Sequence, residues 1–197
     1  TEIVPWQHIV DTFRLEDVNH SPAFFDIQKL QAFNGEYIRK MPLEVFIAEC
    51  EPFLTGETMP WPAGNFKQDI FRGMAELVQT RVTALTEVPA MVDFFFLDEP
   101  AIDDASWAKA TKDEWASAVL GETTAAYATA EWNHDSLKAV IEQVGEKHGL
   151  KLGKVQAPIR VAITGRTVGP PLFESLELLG RETTLARLAA ASQRLAK

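Results

Sequence analysis

An all-α fold is the expectation for this 197-residue chain, and three observations carry it. Apolar residues recur at three- and four-residue spacing almost from end to end. No stretch sustains the alternation of a half-buried strand. The interruptions are short turns built on Gly, Pro and Asn. Apolar residues make up 46% of the chain and charged residues 24%, enough for one sizeable core or two small ones and unlike a disordered or collagen-like chain. We therefore expect a helical bundle or superhelical array of about ten helices.

The first element, "PWQHIVDTF", places Trp6, Ile9, Val10 and Phe13 on one helical face. "FDIQKLQAFNGEYIRKM" opens on Asp26 as an N-cap and carries Leu30, Phe33 and Ile38. Its Asn34-Gly35 pair predicts either two short helices or one kinked helix. "PLEVFIAECEPFL" begins with Pro42 in a first-turn position, and "TGETMPWPAG" reads as a loop around Trp61. A long helical pattern follows through Ile70, Met74, Leu77 and Val78, broken near Pro89. The acidic segment 97–112 comes next, and Thr111 with Glu114 has the spacing of a capping box for the helix holding Trp115 and Leu120. A helix starting near His134 stops at Gly149. "PPLFESLELLG" and "RETTLARLAAASQRLA" end the chain as a helical pair parted at Gly180. We expect three regions, 1–62, 63–110 and 111–197, with the acidic stretch as the best candidate for a boundary between subdomains.

Most self-contained catalytic chemistry is excluded. His8, His20, His134 and His148 are too dispersed for a zinc site, and the one cysteine, Cys50, has no ligand spacing to any of them. Phosphate-binding glycine loops and a nucleophile elbow are absent. Asp98, Glu99, Asp103 and Asp104 lack calcium-loop spacing and read as a solvated loop. No catalytic residue, metal site or cofactor site is expected in this chain. Single-cysteine usage fits the cytoplasm, and no apolar run approaches a membrane span. The start has no signal-peptide layout. A first residue other than methionine reads as a processed product or an excised piece.

The net charge of −9 hides an asymmetry. Residues 147–197 hold nine Lys/Arg against three acids, a net of +6, whereas residues 1–146 carry −15. A basic end on an acidic chain suggests a localised surface for a polyanion.

Two sequence blocks sharpen that suggestion. "FDIQKLQAFNGEYIRKM" is similar to the F-D-x-x-K-L-x-x-x-N-x-x-Y-I block of bacterial glutamyl-tRNA synthetases. "APIRVAITGRTVGPPLFESLELLGRETTLARL" closely resembles that family's C-terminal segment, and "RGMAELVQTRVTALTEVP" looks like its first anticodon-domain helix. The resemblance covers nearly the whole chain, in order. The H-I-G-H-type and K-M-S-K-type signatures of class I synthetases are missing from this sequence. The resemblance therefore implies a truncated piece: a stem-contact-like region followed by an anticodon-binding domain of class I synthetase type, inactive alone. It implies a parent ligase using ATP and magnesium, glutamate tRNA as partner with glutamine tRNA as a second candidate, no DNA or membrane, and a monomer.

By the same resemblance, Arg160 hydrogen-bonds an anticodon base and Leu172 packs on a base, across a turn shaped by Gly165, Gly169 and Pro170. Arg72 falls where the family presents an arginine to the last anticodon base. Arg166, Arg181, Arg187, Arg39 and Lys40 are candidate phosphate contacts. Blander readings stand beside these: Arg160 as a helix-end arginine paired with a carboxylate, Leu172 as core filling, the other cations as solvated. A helical protein-interaction module without tRNA affinity is the alternative function.

Overall fold

The computed structural model describes residues 3–18, 24–56, 59–62 and 64–196. His20 and three positions of the expected loop around Trp61 (Glu57, Thr58 and Ala63) lie outside the described residues. Among the described residues there are no strands. Eleven α-helices run in order: α1 Trp6–Thr12, α2 Ile27–Lys40, α3 Leu43–Leu54, α4 Gln68–Gln79, α5 Val88–Val92, α6 Asp104–Thr111, α7 Trp115–Tyr127, α8 His134–Lys147, α9 Leu152–Thr164, α10 Leu172–Leu179 and α11 Arg181–Leu195. Short 3-10 turns at Leu15–Asp17, Leu85–Glu87 and Asp93–Phe95 complete the set.

The amphipathic spacing of α1 does form a helix, but none of its residues is buried. Trp6 is 75% exposed and Phe24, just before α2, is 89% exposed, so this apolar face is uncovered. Asp26 caps α2 as expected, accepting from the Lys29 amide at 3.0 Å. Asn34-Gly35 does not break that helix. Asn34 Nδ2 donates to the Thr83 carbonyl at 2.5 Å, and a Cβ on Gly35 would meet Arg39 Nη1 at 3.1 Å and Thr83 Cγ2 at 3.5 Å. The pair is thus a packing seat for the loop after α4, which explains a residue combination that looks like a turn.

Two apolar cores organise the rest. The first gathers Phe46, Cys50 and Leu54 of α3, Phe71, Met74 and Val78 of α4, and Val88, Val92 and Phe96 beyond them. Buried Gln79 ties α4 to the α2–α3 junction, donating to the carbonyls of Ile38 and Met41 at 2.7 Å each. The second core joins Val119, Leu120 and Tyr127 of α7, Leu137 and Ile141 of α8, Ile159 and Ile163 of α9, and Leu172, Leu176 and Leu188. Each large side chain buried in this way contributes about 2 kcal/mol. Phe95 packs against both cores.

These cores redraw the expected regions. A boundary at 62/63 would cut the first core, which needs both α3 and α4. One at 110/111 would detach α6, although Trp107 packs on the second core. The lobes part at residues 94–97. The expected capping box is also absent. Thr111 ends α6, its hydroxyl bonded to the Trp107 carbonyl at 2.7 Å, and Glu114 makes no cap bond. Pro42 sits one position earlier than expected, as the N-cap of α3, with its carbonyl accepting from the Phe46 amide. Gly149 and Gly180 close α8 and α10 with φ of 64° and 85°, a backbone region that glycine enters without strain.

Candidate nucleic-acid interface

The candidate surface lies where α9 ends. Gly165 terminates that helix at φ 78°, and a Cβ there would come within 2.1 Å of the Ala101 carbonyl oxygen. Only glycine allows this approach. Its own carbonyl accepts from the Asp103 amide at 2.9 Å. The turn then runs from Arg166 to Pro170, and Pro171 caps α10.

Arg160 projects from the last turns of α9 into this corner. Its Nη1 donates to the Pro170 carbonyl at 2.7 Å, so the side chain is fixed by the turn it faces. Among the described residues it has no carboxylate partner, and the helix-end ion pair is not formed. Burial, followed by the nearby Arg81 guanidinium, pulls its pKa down, while Glu174 pushes the other way. Arg81 comes from the loop after α4, where its Nη1 holds the Leu77 carbonyl at 2.9 Å. Arg160 and Arg81, one from each lobe, thus act on one another electrostatically, with the Glu174 carboxylate in part offsetting their repulsion. The sequence reading missed Arg81. The signal was its position just past the C-terminus of α4, inside the block that carries the resemblance.

Leu172 is placed differently from the base-packing wall: only 2% exposed, it is part of the second core. The exposed apolar side chain of the turn is Val168, at 72%. An apolar residue between Thr167 and Gly169, in a turn with nothing to fill, was its sequence signal. Arg72 is not brought to the corner. It pairs with Glu44 of α3 at 2.5 Å, roughly 13 Å along the α4 axis from Arg81.

Three of the candidate phosphate contacts are committed elsewhere. Arg166 Nη2 pairs with Asp93 at 2.5 Å and its Nη1 bonds the Ala90 carbonyl. Arg181 donates to the carbonyls of Ala128 and Ala130 at 2.7 and 2.6 Å, against the Trp132 ring. Arg187 is 6% exposed and serves the carbonyls of Ile163, Phe94 and Leu97 at 2.8–2.9 Å. Burial pulls its pKa down to about 10, with Asp93, Asp98 and Glu99 opposing. Buried, with both Nη1 and Nη2 donating to main-chain carbonyls, Arg187 ties chain segments together inside the fold. Arg39 pairs with Glu36 at 2.5 Å, and Lys40 is exposed at the end of α2.

The fold is that of an all-helical anticodon-binding domain of class I synthetase type, built on two apolar cores. The chain belongs to the family described as "Anticodon binding domain", whose match spans residues 45–192. Curated relatives include glutamate–tRNA ligases of Frankia casuarinae, 56% identical over 98% of this chain and 41% of that protein, and of Streptomyces coelicolor, 45% identical over 99% and 40%. The chain thus spans about two-fifths of the length of the relatives it matches. A crystal structure of a glutamate tRNA ligase from Elizabethkingia meningosepticum superposes with a TM-score of 0.78 at 24% identity, covering 99% of this chain and 38% of the other, and shows the shared fold. The resemblance drawn from the sequence to the anticodon-binding portion of glutamate–tRNA ligases holds.

Proposed function

We propose that this chain reads the anticodon loop of glutamate tRNA, so that the catalytic part of a longer ligase attaches glutamate to the bound tRNA. The carrying observation is the Arg160 corner. A guanidinium pinned to the Pro170 carbonyl, with the Arg81 charge acting on it and no ion pair of its own among the described residues, suits a strand supplying both acceptor edges and negative charge. The like-charge repulsion of the two arginines would be relieved by that strand. Val168 offers the exposed apolar surface on which a splayed base can rest.

ATP and magnesium belong to the parent reaction. The turn at 165–170 does not fit nucleotide phosphates: Gly165 is pressed against Ala101, leaving no cradle on that side. Groups of three metal-ligating side chains are also absent among the described residues. No step through ATP is therefore assigned to this chain, whose work is binding and orientation.

The test is binding of a synthetic anticodon stem–loop of glutamate tRNA, beside one with an altered anticodon. Arg160→Ala should weaken the cognate loop by about 1.5–3 kcal/mol, the range for a charge-assisted hydrogen bond, and the altered loop by less. Discrimination retained in that variant would remove Arg160 from the reading role.

A further inference from the structure

A second surface lies beside the reading corner, between α6 and α9. It is an open groove of about 400 Å³ whose lining includes Lys109, Lys112, Lys154, Trp115, Ala157 and Thr167. Gly153 also lines it. Gly153, Ala157 and Arg160 are spaced i, i+4 and i+7, so they share one face of α9. The groove therefore follows that face for about 6 Å, from Gly153 to Ala157, and Arg160 lies one turn further on. Its helical floor is made of the two smallest residue types, and a Cβ on Gly153 would meet nothing within 4 Å. Thr167 belongs both to the groove and to the turn that holds Arg160, which makes the two surfaces continuous.

The charge of this groove runs against the chain. Among the described residues neither Lys109 nor Lys112 has an ion-pair partner, although the protein carries nine more acidic than basic residues. Asp113 is the one acid in the lining, and Lys154 neutralises it at 3.3 Å. Lys154 also lies 5.2 Å from the centre of the Trp115 ring, covering it, so the ring is not a free stacking platform. The N-terminus of α9, whose first turn holds no acid, adds positive potential at the same end.

We propose that the α6–α9 groove is a phosphate track for the RNA strand adjoining the bases read at Arg160, with Lys109 and Lys112 contacting the backbone without reading sequence. The proposal rests on the anticodon reading, and commits the groove to a single-stranded polyanion rather than a protein partner.

The experiment compares the unaltered chain, Lys109→Gln/Lys112→Gln and Lys138→Gln/Lys147→Gln as a control that removes equal charge from α8. The probe is the anticodon stem–loop of glutamate tRNA, titrated over a range of salt. Two lost contacts to a single strand should make log K against log salt shallower by about 1.4 and weaken binding roughly 25-fold at 0.1 M salt. Cognate and altered loops should lose affinity equally, and the α8 control should lose little.

The outcomes separate the two readings. Salt-dependent binding by the unaltered chain with an unchanged slope in the groove variant overturns the track and leaves the Arg160 reading intact. Equal losses in the control assign the effect to net charge and also overturn it. Lost anticodon discrimination in the groove variant overturns a sequence-blind role. An unaltered chain without affinity for the loop overturns both readings.

Discussion

At the scale of single residues, arginine does two unlike jobs in this protein. Arg166, Arg181 and Arg187 all finish helix or turn ends, donating to carbonyls at the close of α5, at the close of α7 and in the 3-10 turn at Asp93–Phe95. Such carbonyls have no partner within their own helix, and a buried one left unsatisfied is costly. Arg187→Met should therefore destabilise the chain by about 3 kcal/mol, since it strips three carbonyls of their donor. Urea unfolding measures it, and a change under 1 kcal/mol would refute the clamp. None of this was legible in the sequence, where an arginine on an amphipathic helix looks solvated. Arg160 stands out in the sequence because it interrupts an apolar run. Its partner does not, because a proline carbonyl ten residues away has no sequence signature.

At the scale of elements, periodicity located the helices well, and local rules failed where tertiary contacts overrode them. Asn34-Gly35 reads as a break until its packing partner at Thr83 is in view. Thr111 and Glu114 have the right spacing for a cap but belong to different helices. The start of α8 shows a device of another kind. Its N-cap Asn133 accepts from the Ser136 amide, while Glu177 of α10 accepts from the His134 amide at 3.0 Å and lies 2.9 Å from the His134 Nδ1. The Glu177 carboxylate raises the His134 pKa, and His134 in turn lowers that of Glu177. The histidine contribution is fully present below about pH 6.5 and fades as pH rises through the raised value. The Glu177 contribution is present above its ordinary value near 4.5 and fades as pH falls through the lowered one. His134→Gln should accordingly lower the melting temperature most between roughly pH 4.5 and 6.5, and least above pH 8. A penalty independent of pH would refute the pairing.

At the scale of the whole molecule, the second lobe holds the first through Arg166 and Arg187, with Leu178 of α10 seated 3.2 Å from where a Cβ on Gly73 would lie. Asp93, the partner of Arg166, is buried, and its Oδ1 has no hydrogen bond. Burial raises its pKa and Arg166 acts against that rise. An acid whose folded pKa is raised weakens the fold as pH climbs through that value and is harmless once protonated. Arg166→Met should thus cost about 3 kcal/mol near neutral pH and clearly less near pH 4, where the stranded carboxyl takes up a proton. Equal losses at both pH values would show that the latch is not electrostatic. The fold class and the basic C-terminal quarter were readable from the chain. The position of the lobe boundary was not, because it depends on which helices share a core.

The bond between Arg160 and the Pro170 carbonyl has a kinetic consequence. A donor already held by its own turn leaves little to be ordered after encounter. On the proposed reading of the anticodon loop, matched and mismatched anticodons would then arrive at similar rates, steered by charge, and be told apart by how long they stay.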